Sequence, residues 1–118
     1  MAWELNSDRP IYMQIMDNIK FSIISGKYPC GDKLPSVRDL AHEAAVNPNT
    51  MQKALSELEL TGLIQSNRTT GRFVTDDTGL ISSVKKELAT EYCSEFFEKL
   101  HSLGMTDNEI KELISDII

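Results

Sequence analysis

"VNPNTMQKALSELELTGLI", residues Val46 to Ile64, is the stretch on which the reading of this chain turns. Asn47 can cap a helix N-terminus with its side-chain oxygen, and Pro48 fits the first helical position, where its missing N–H is not needed. Met51, Ala54, Leu55 and Leu58 recur at helical spacing and mark a buried stripe, and Gly62 stops the helix. The opposite side begins with Asn49, Thr50 and Gln52 and continues with Lys53 and Ser56. A helix that only fills a core has no use for amides at its tip. A helix in the major groove of DNA does, because its N-terminal residues meet base edges. Asn and Gln can pair bidentately with adenine, and Lys or Arg with guanine. The first N–H groups of the helix add a place for phosphate. An ordinary solvated face with a good cap would look similar, so the flanking sequence decides.

Upstream, "SVRD" (Ser36 to Asp39) has the capping-box pattern of a serine with an acid three residues on. Val37, Leu40, Ala41 and Ala44 give that short helix its inner side. Only a few residues separate it from Asn47, which is helix-turn-helix spacing. "KYPCGDKLP" (Lys27 to Pro35) has two prolines and a glycine and reads as a loop or a short extended piece. Before it, Tyr12, Ile15, Met16, Ile19 and Ile23 form a helical stripe that ends at Gly26, with a start at Asp8 and Pro10. Downstream, "LIQS" and "RFV" flank the turn-rich "NRTTG", which predicts a β-hairpin. Arg68 and Arg72 flank its tip, and Gly71 would let the backbone come close to a phosphate or enter a groove. The order is helix, helix, helix, hairpin. A small hairpin after a helix-turn-helix makes a wing, and this tips the balance towards DNA. In such folds the second helix crosses the DNA backbone, which places Ser36 and Arg38 there.

The rest of the chain differs. "TDDTG" (Thr75 to Gly79) reads as a hinge. Leu80, Val84, Leu88, Tyr92, Phe96 and Leu100 then step by four, widened by Ile81, Phe97 and Leu103, along a helix of about six turns that ends at Gly104. "TDNE" (Thr106 to Glu109) is a second capping box. Ile110, Leu113, Ile114, Ile117 and Ile118 give a short last helix its apolar face. The expected fold class is mainly α with a small β-hairpin: a winged helix-turn-helix over residues 1–75 and a short two-helix dimerisation region over 76–118. The long stripe is too wide to face water alone. A two-fold homodimer centred on Val84, Leu88, Tyr92, Phe96 and Leu100 would cover it.

Composition bounds the alternatives. The chain has 118 residues, 41% of them apolar, and a net charge of −6. That charge is uneven. Up to residue 75, Arg9, Lys20, Lys27, Lys33, Arg38, Lys53, Arg68 and Arg72 are matched by as many acids, so the excess lies beyond. A neutral head can still present a basic face, while the acidic tail stays off DNA. No apolar run would cross a bilayer and no signal peptide is visible, so a cytoplasmic protein without a membrane partner is expected. Cys30 and Cys93 match no metal or redox spacing and read as free thiols. "HE" (His42–Glu43) lacks the second histidine of a zinc protease helix. No phosphate loop or nucleophile triad appears. No catalysis, cofactor or metal is therefore expected. A protein-interaction module without DNA binding would fit the tail, but it leaves the amide-rich tip and the hairpin arginines unexplained.

The segment "GDKLPSVRDLAHEAAVNPNTMQKALSELELTGLIQSNRTTGRFV" resembles the winged helix-turn-helix of the GntR superfamily of bacterial transcription regulators, from about Pro10 to Val74. The short C-terminal part is similar to the YtrA-like subgroup, in which short helices mediate dimerisation. Carried over by motif, the resemblance implies DNA contacts at Arg38, Asn47, Asn49, Thr50, Gln52 and Gly71, extended to Ser36, Lys53 and Arg68. The partners it implies are double-stranded DNA and a second copy of the chain, and the activity is that of a repressor reading a near-palindromic operator. Two positions depart from the pattern. Cys30 stands where the family often has proline, and Ala45 where it often has glycine. If position 45 needs positive φ, alanine there costs on the order of 1 kcal/mol. A small-molecule effector would have to sit between protomers or beside the wing, because so short a tail cannot enclose a typical pocket.

Overall fold

The computed structural model describes residues 3–67 and 69–118. Its elements are α1 (Ile11–Ile24), α2 (Val37–Ala44), α3 (Pro48–Thr61), β1 (Ile64–Asn67), β2 (Gly71–Val74), α4 (Thr78–Ser102) and α5 (Asp107–Ile117). They divide into two compact units, residues 1–82 and 83–118.

In the first unit α1 and α2 both pack on α3. Each contributes an apolar stripe: Ile15, Ile19 and Ile23 from α1, Leu40, Ala41 and Ala44 from α2, and Met51, Ala54, Leu55 and Leu58 from α3, all buried. The α3 set is the one its spacing predicts. Burying a Leu or Ile side chain of this kind contributes about 1.5–3 kcal/mol before entropy is counted. Val37, Tyr12 and Met16, expected in the same stripes, lie at the rim and are half-buried.

The start of α1 differs from expectation. Pro10 stands at the cap, in extended geometry (φ −52°, ψ 136°), and no side chain caps the helix. Gln14 organises the approach instead. Its side chain accepts from the Asn6 N–H at 2.9 Å and donates to the carbonyls of Asn6 and Arg9 at 2.8 Å each. A long amide can satisfy donor and acceptor at once, which an aspartate cannot, and Gln14 is buried as a result.

The hairpin pairs antiparallel with Ile64 opposite Val74 and Asn67 opposite Gly71. Ile64 and Val74 turn inward to the core. The Lys27–Pro35 segment joins this sheet. Lys33 bridges to Phe73, the Leu34 N–H donates to the Arg72 carbonyl at 2.9 Å, and the Val74 N–H to the Asp32 carbonyl at 2.8 Å. These bonds cover the β2 edge and tie the wing to the loop that leads into α2.

The second unit holds most of α4 and all of α5. The capping box at Thr106 is complete: its Oγ1 accepts the Glu109 N–H at 3.2 Å, and the Glu109 carboxylate accepts the Thr106 N–H at 3.1 Å. Ile110 is buried. A surface groove of about 410 Å³ is lined by Phe97, His101, Asp107, Ile110, Lys111 and Ile114. Along α4 no residue is fully buried in the single chain: Val84, Leu88 and Leu100 are half-buried, and Tyr92, Phe96 and Phe97 are exposed. None of the described helices is long and apolar enough to cross a membrane.

Candidate nucleic-acid interface

The interface is built on α3. The Asn47 Oδ1 accepts the Asn49 N–H at 2.7 Å, which caps the helix and leaves the Asn47 amide N–H groups as spare donors. Asn49, Gln52, Lys53 and Ser56 are exposed, and Thr50 is half-buried at the edge of the face. The Gln52 amide reaches the Ser56 hydroxyl at 3.4 Å, a long bond that a better partner would replace at little cost. The amides therefore stand free on the side opposite the Met51–Leu58 stripe, as the spacing requires.

The turn before α3 is set by Ala45. Its backbone lies in the left-handed region (φ 58°, ψ 46°), and it is the one non-glycine residue there among the described residues. This conformation directs the Ala45 N–H to the His42 carbonyl at 3.2 Å and the Val46 N–H to the Ala41 carbonyl at 3.0 Å. Two otherwise orphaned carbonyls of α2 are satisfied, and the chain is aimed into α3.

At the start of α2 the Ser36 Oγ accepts the Asp39 N–H at 3.1 Å, so its hydroxyl hydrogen is free to donate outward. Only this half of the expected capping box forms, because aspartate is a methylene shorter than glutamate and does not reach back. Arg38 is exposed and has no ion-pair partner among the described residues. A groove of about 470 Å³ runs between this helix start and the wing, and Ser36 and Gly71 line it together. Gly71 has φ 103°, and a Cβ there would stand 3.2 Å from the Lys33 Cε. The conformation calls for glycine, while the lysine end could shift by the few tenths of an ångström a Cβ would need.

Arg68 lies outside the described residues. Arg72, the other hairpin arginine, is committed elsewhere: its Nε donates to the Glu59 Oε1 at 2.6 Å, with the side chains 18% and 27% exposed. That pair fastens β2 to α3, so Arg72 serves the wing's position. The Lys53 ammonium sits 4.0 Å from the centre of the Tyr12 ring. Sequence reasoning missed Lys33 and Tyr12. Lys33 sits in a loop whose pairing with β2 is long-range, and Tyr12 reads in the sequence only as part of an apolar stripe. The "GD" turn that presents Lys33 beside the hairpin was the available signal for the first. For the second, aromatic-to-lysine proximity across two helices leaves no trace in spacing.

Residues 11–74 match the family model described as bacterial regulatory proteins, gntR family. The chain belongs to this family. Its winged helix-turn-helix is that of a DNA-binding transcription regulator. It is 36% identical over 109 residues to the uncharacterized HTH-type transcriptional regulator YhcF of Bacillus subtilis, covering 92% of this chain and 90% of that protein. It is 35% identical over 122 residues to the HTH-type transcriptional repressor YtrA of the same organism, covering 94% and 89%. A GntR family transcriptional regulator from Listeria monocytogenes superposes with a TM-score of 0.85 at 36% identity, over 95% of this chain and 98% of that one. AraR(DBD), crystallised in complex with operator ORE1, superposes with a TM-score of 0.55 at 30% identity, over 64% and 94%.

Proposed function

We propose that this GntR-family chain is a cytoplasmic repressor without catalytic activity, and that it binds a near-palindromic operator as a homodimer. The observation that carries the reading is the two-sided α3: four buried apolar residues on one side, and the exposed Asn49, Gln52, Lys53 and Ser56 on the other. In this reading Asn49 and Gln52 read base edges. Asn47 and Thr50 contact DNA at the helix tip, where the first N–H groups face phosphate. Ser36, Arg38 and Lys53 hold phosphates, and the wing approaches with Gly71 and Arg68. The repressor name of YtrA and the operator complex of AraR(DBD) support the assignment by likeness.

The dimer would use α4. Its half-buried Val84, Leu88 and Leu100 and exposed Tyr92 and Phe96 suit a two-fold partner, and two α3 helices would then enter successive major grooves about 34–36 Å apart. The residue ranges 1–75 and 76–118 divide the two tasks. Selecting bound fragments from the source genome tests this. A shared palindrome with that half-site spacing is expected, together with a dimer mass in light scattering at micromolar concentration. Absence of any salt-dependent gel shift with duplex DNA would leave a protein-interaction module instead, and a monomer mass would sink the α4 interface.

A further inference from the structure

We infer that Tyr12 is a positioning residue that holds the Lys53 ammonium ready for a DNA phosphate, which extends the DNA interface to the start of α1. The inference rests on the DNA-binding reading above. Tyr12 is the second residue of α1 and is half-buried, which restricts its ring. Lys53 projects from α3, and its Nζ lies 4.0 Å from the ring centre, at the close end of the range for a cation over an aromatic face. Among the described residues no carboxylate lies within ion-pair distance of it.

What holds a cation decides what it can still do. Arg72 is held by the Glu59 carboxylate, which cancels its charge and occupies a donor. Lys27 likewise has Glu43 at 3.6 Å besides its own contact with Tyr28. A ring face attracts a cation through its quadrupole and carries no net charge. Lys53 therefore keeps its full positive charge and its N–H donors for a phosphate, while the four-carbon stem is already ordered. Ordering a long side chain before DNA arrives lowers the entropy lost on binding. The geometry thus gives α3 a prepared cation beside its base-reading amides.

The test is a double-mutant cycle on an operator duplex selected with the full-length protein, with Kd measured across salt concentrations. Lys53→Met should weaken binding and flatten the slope of log K against log salt by about 0.9 per protomer. Tyr12→Leu should weaken binding about 2–5-fold, the range expected for an exposed cation–π contact. Tyr12→Phe, which keeps the ring face, should bind like the parent. Tyr12→Leu added to Lys53→Met should cause no further loss. Should Tyr12→Leu fail to give a cooperative thermal transition, Tyr12→Met takes its place. The inference is overturned by an equal loss from Tyr12→Leu in both backgrounds, by Tyr12→Phe behaving like Tyr12→Leu, or by tighter binding when the ring is removed. If the parent protein binds no duplex at all, the DNA reading fails instead, so the two failures are distinguishable.

Discussion

Replacing Ala45 by glycine should stabilise this protein, against the usual direction for an alanine at an exposed site. Ala45 ends α2 at φ 58° and ψ 46°. An L-residue with a Cβ pays about 1–2 kcal/mol in that region, where its Cβ crowds the following carbonyl. Glycine pays none of this but loses more backbone freedom on folding, worth roughly 0.5–1 kcal/mol. The difference leaves a gain of about 0.5–1 kcal/mol for Ala45→Gly. For a unit of this size that corresponds to a rise in Tm of about 2–8 °C. Ala45→Asn should fall between, because Asn tolerates the left-handed region better than alanine. Ala45→Val should lower Tm, since a β-branched residue is a genuine outlier there. Thermal unfolding followed by circular dichroism reads all three. Operator affinity should stay unchanged at a temperature where every variant is folded, because the two backbone bonds from Ala45 and Val46 remain. A drop in Tm for Ala45→Gly would refute the reasoning: it would mean that residue 45 does not hold a left-handed conformation, and that the turn between α2 and α3 is built another way.

Three further outcomes are expected. Asn49→Ala and Gln52→Ala should each reduce discrimination between operator and unrelated duplex by about 1–3 kcal/mol while leaving non-specific affinity nearly unchanged, and equal losses on both duplexes in a competition assay would show that they contact only the DNA backbone. Arg38→Ala should flatten the salt slope by about 0.9 per protomer and weaken binding to all sequences alike; an unchanged slope would take Arg38 off the phosphates. The Tyr28 hydroxyl is buried without a hydrogen-bond partner among the described residues, and its pKa is raised, first by desolvation and then by the Glu43 charge. The unfolded chain would lose that proton first, at about pH 10, so the stability from Tyr28 is intact below that pH and falls as pH rises through it. Tyr28→Phe should be neutral or gain up to about 1 kcal/mol at neutral pH and should show a smaller alkaline loss in denaturant titrations; a clear destabilisation at neutral pH would reveal a partner for the hydroxyl.

What the sequence announces here is whatever depends on neighbours along the chain. The α3 stripe, the Thr106–Glu109 capping box and the glycine stops at Gly62 and Gly104 involve residues within four positions of one another, and periodicity exposes them directly. The same holds for the amides at the α3 tip, whose exposure follows from the buried stripe opposite. The features that spacing does not expose join distant segments. Lys33 meets Phe73 through a sheet edge, Arg72 meets Glu59 across strand and helix, and Tyr12 meets Lys53 across two helices. A hairpin arginine is equally legitimate as a DNA contact or as a brace, and only the position of Glu59 distinguishes the two. The error at the start of α1 has a similar origin. Asp8 and Pro10 form a good local start signal, but a glutamine inside the helix satisfies the incoming backbone better, and long side chains that reach back leave no periodic mark.

These long-range contacts also explain how a chain with net charge −6 can carry a DNA-reading surface. The first unit needs no excess of basic residues, because several of its acids are engaged in bracing contacts. Glu59 holds Arg72, Asp17 holds Arg9 at 2.7 Å, and Glu43 meets both Lys27 and the Trp3 indole N–H. Each of these acids cancels a cation away from α3 or serves local structure. Arg38 and Lys53 are left with their charge intact on the exposed side of the helix-turn-helix, Lys53 because a ring rather than a carboxylate supports it. Local charge, not the total, sets the field that DNA meets within a Debye length of about 8–10 Å. A charge-reversal that freed Arg72 from Glu59 would therefore add a cation near the wing yet loosen the wing itself, which is why a simple count of basic residues cannot rank this surface.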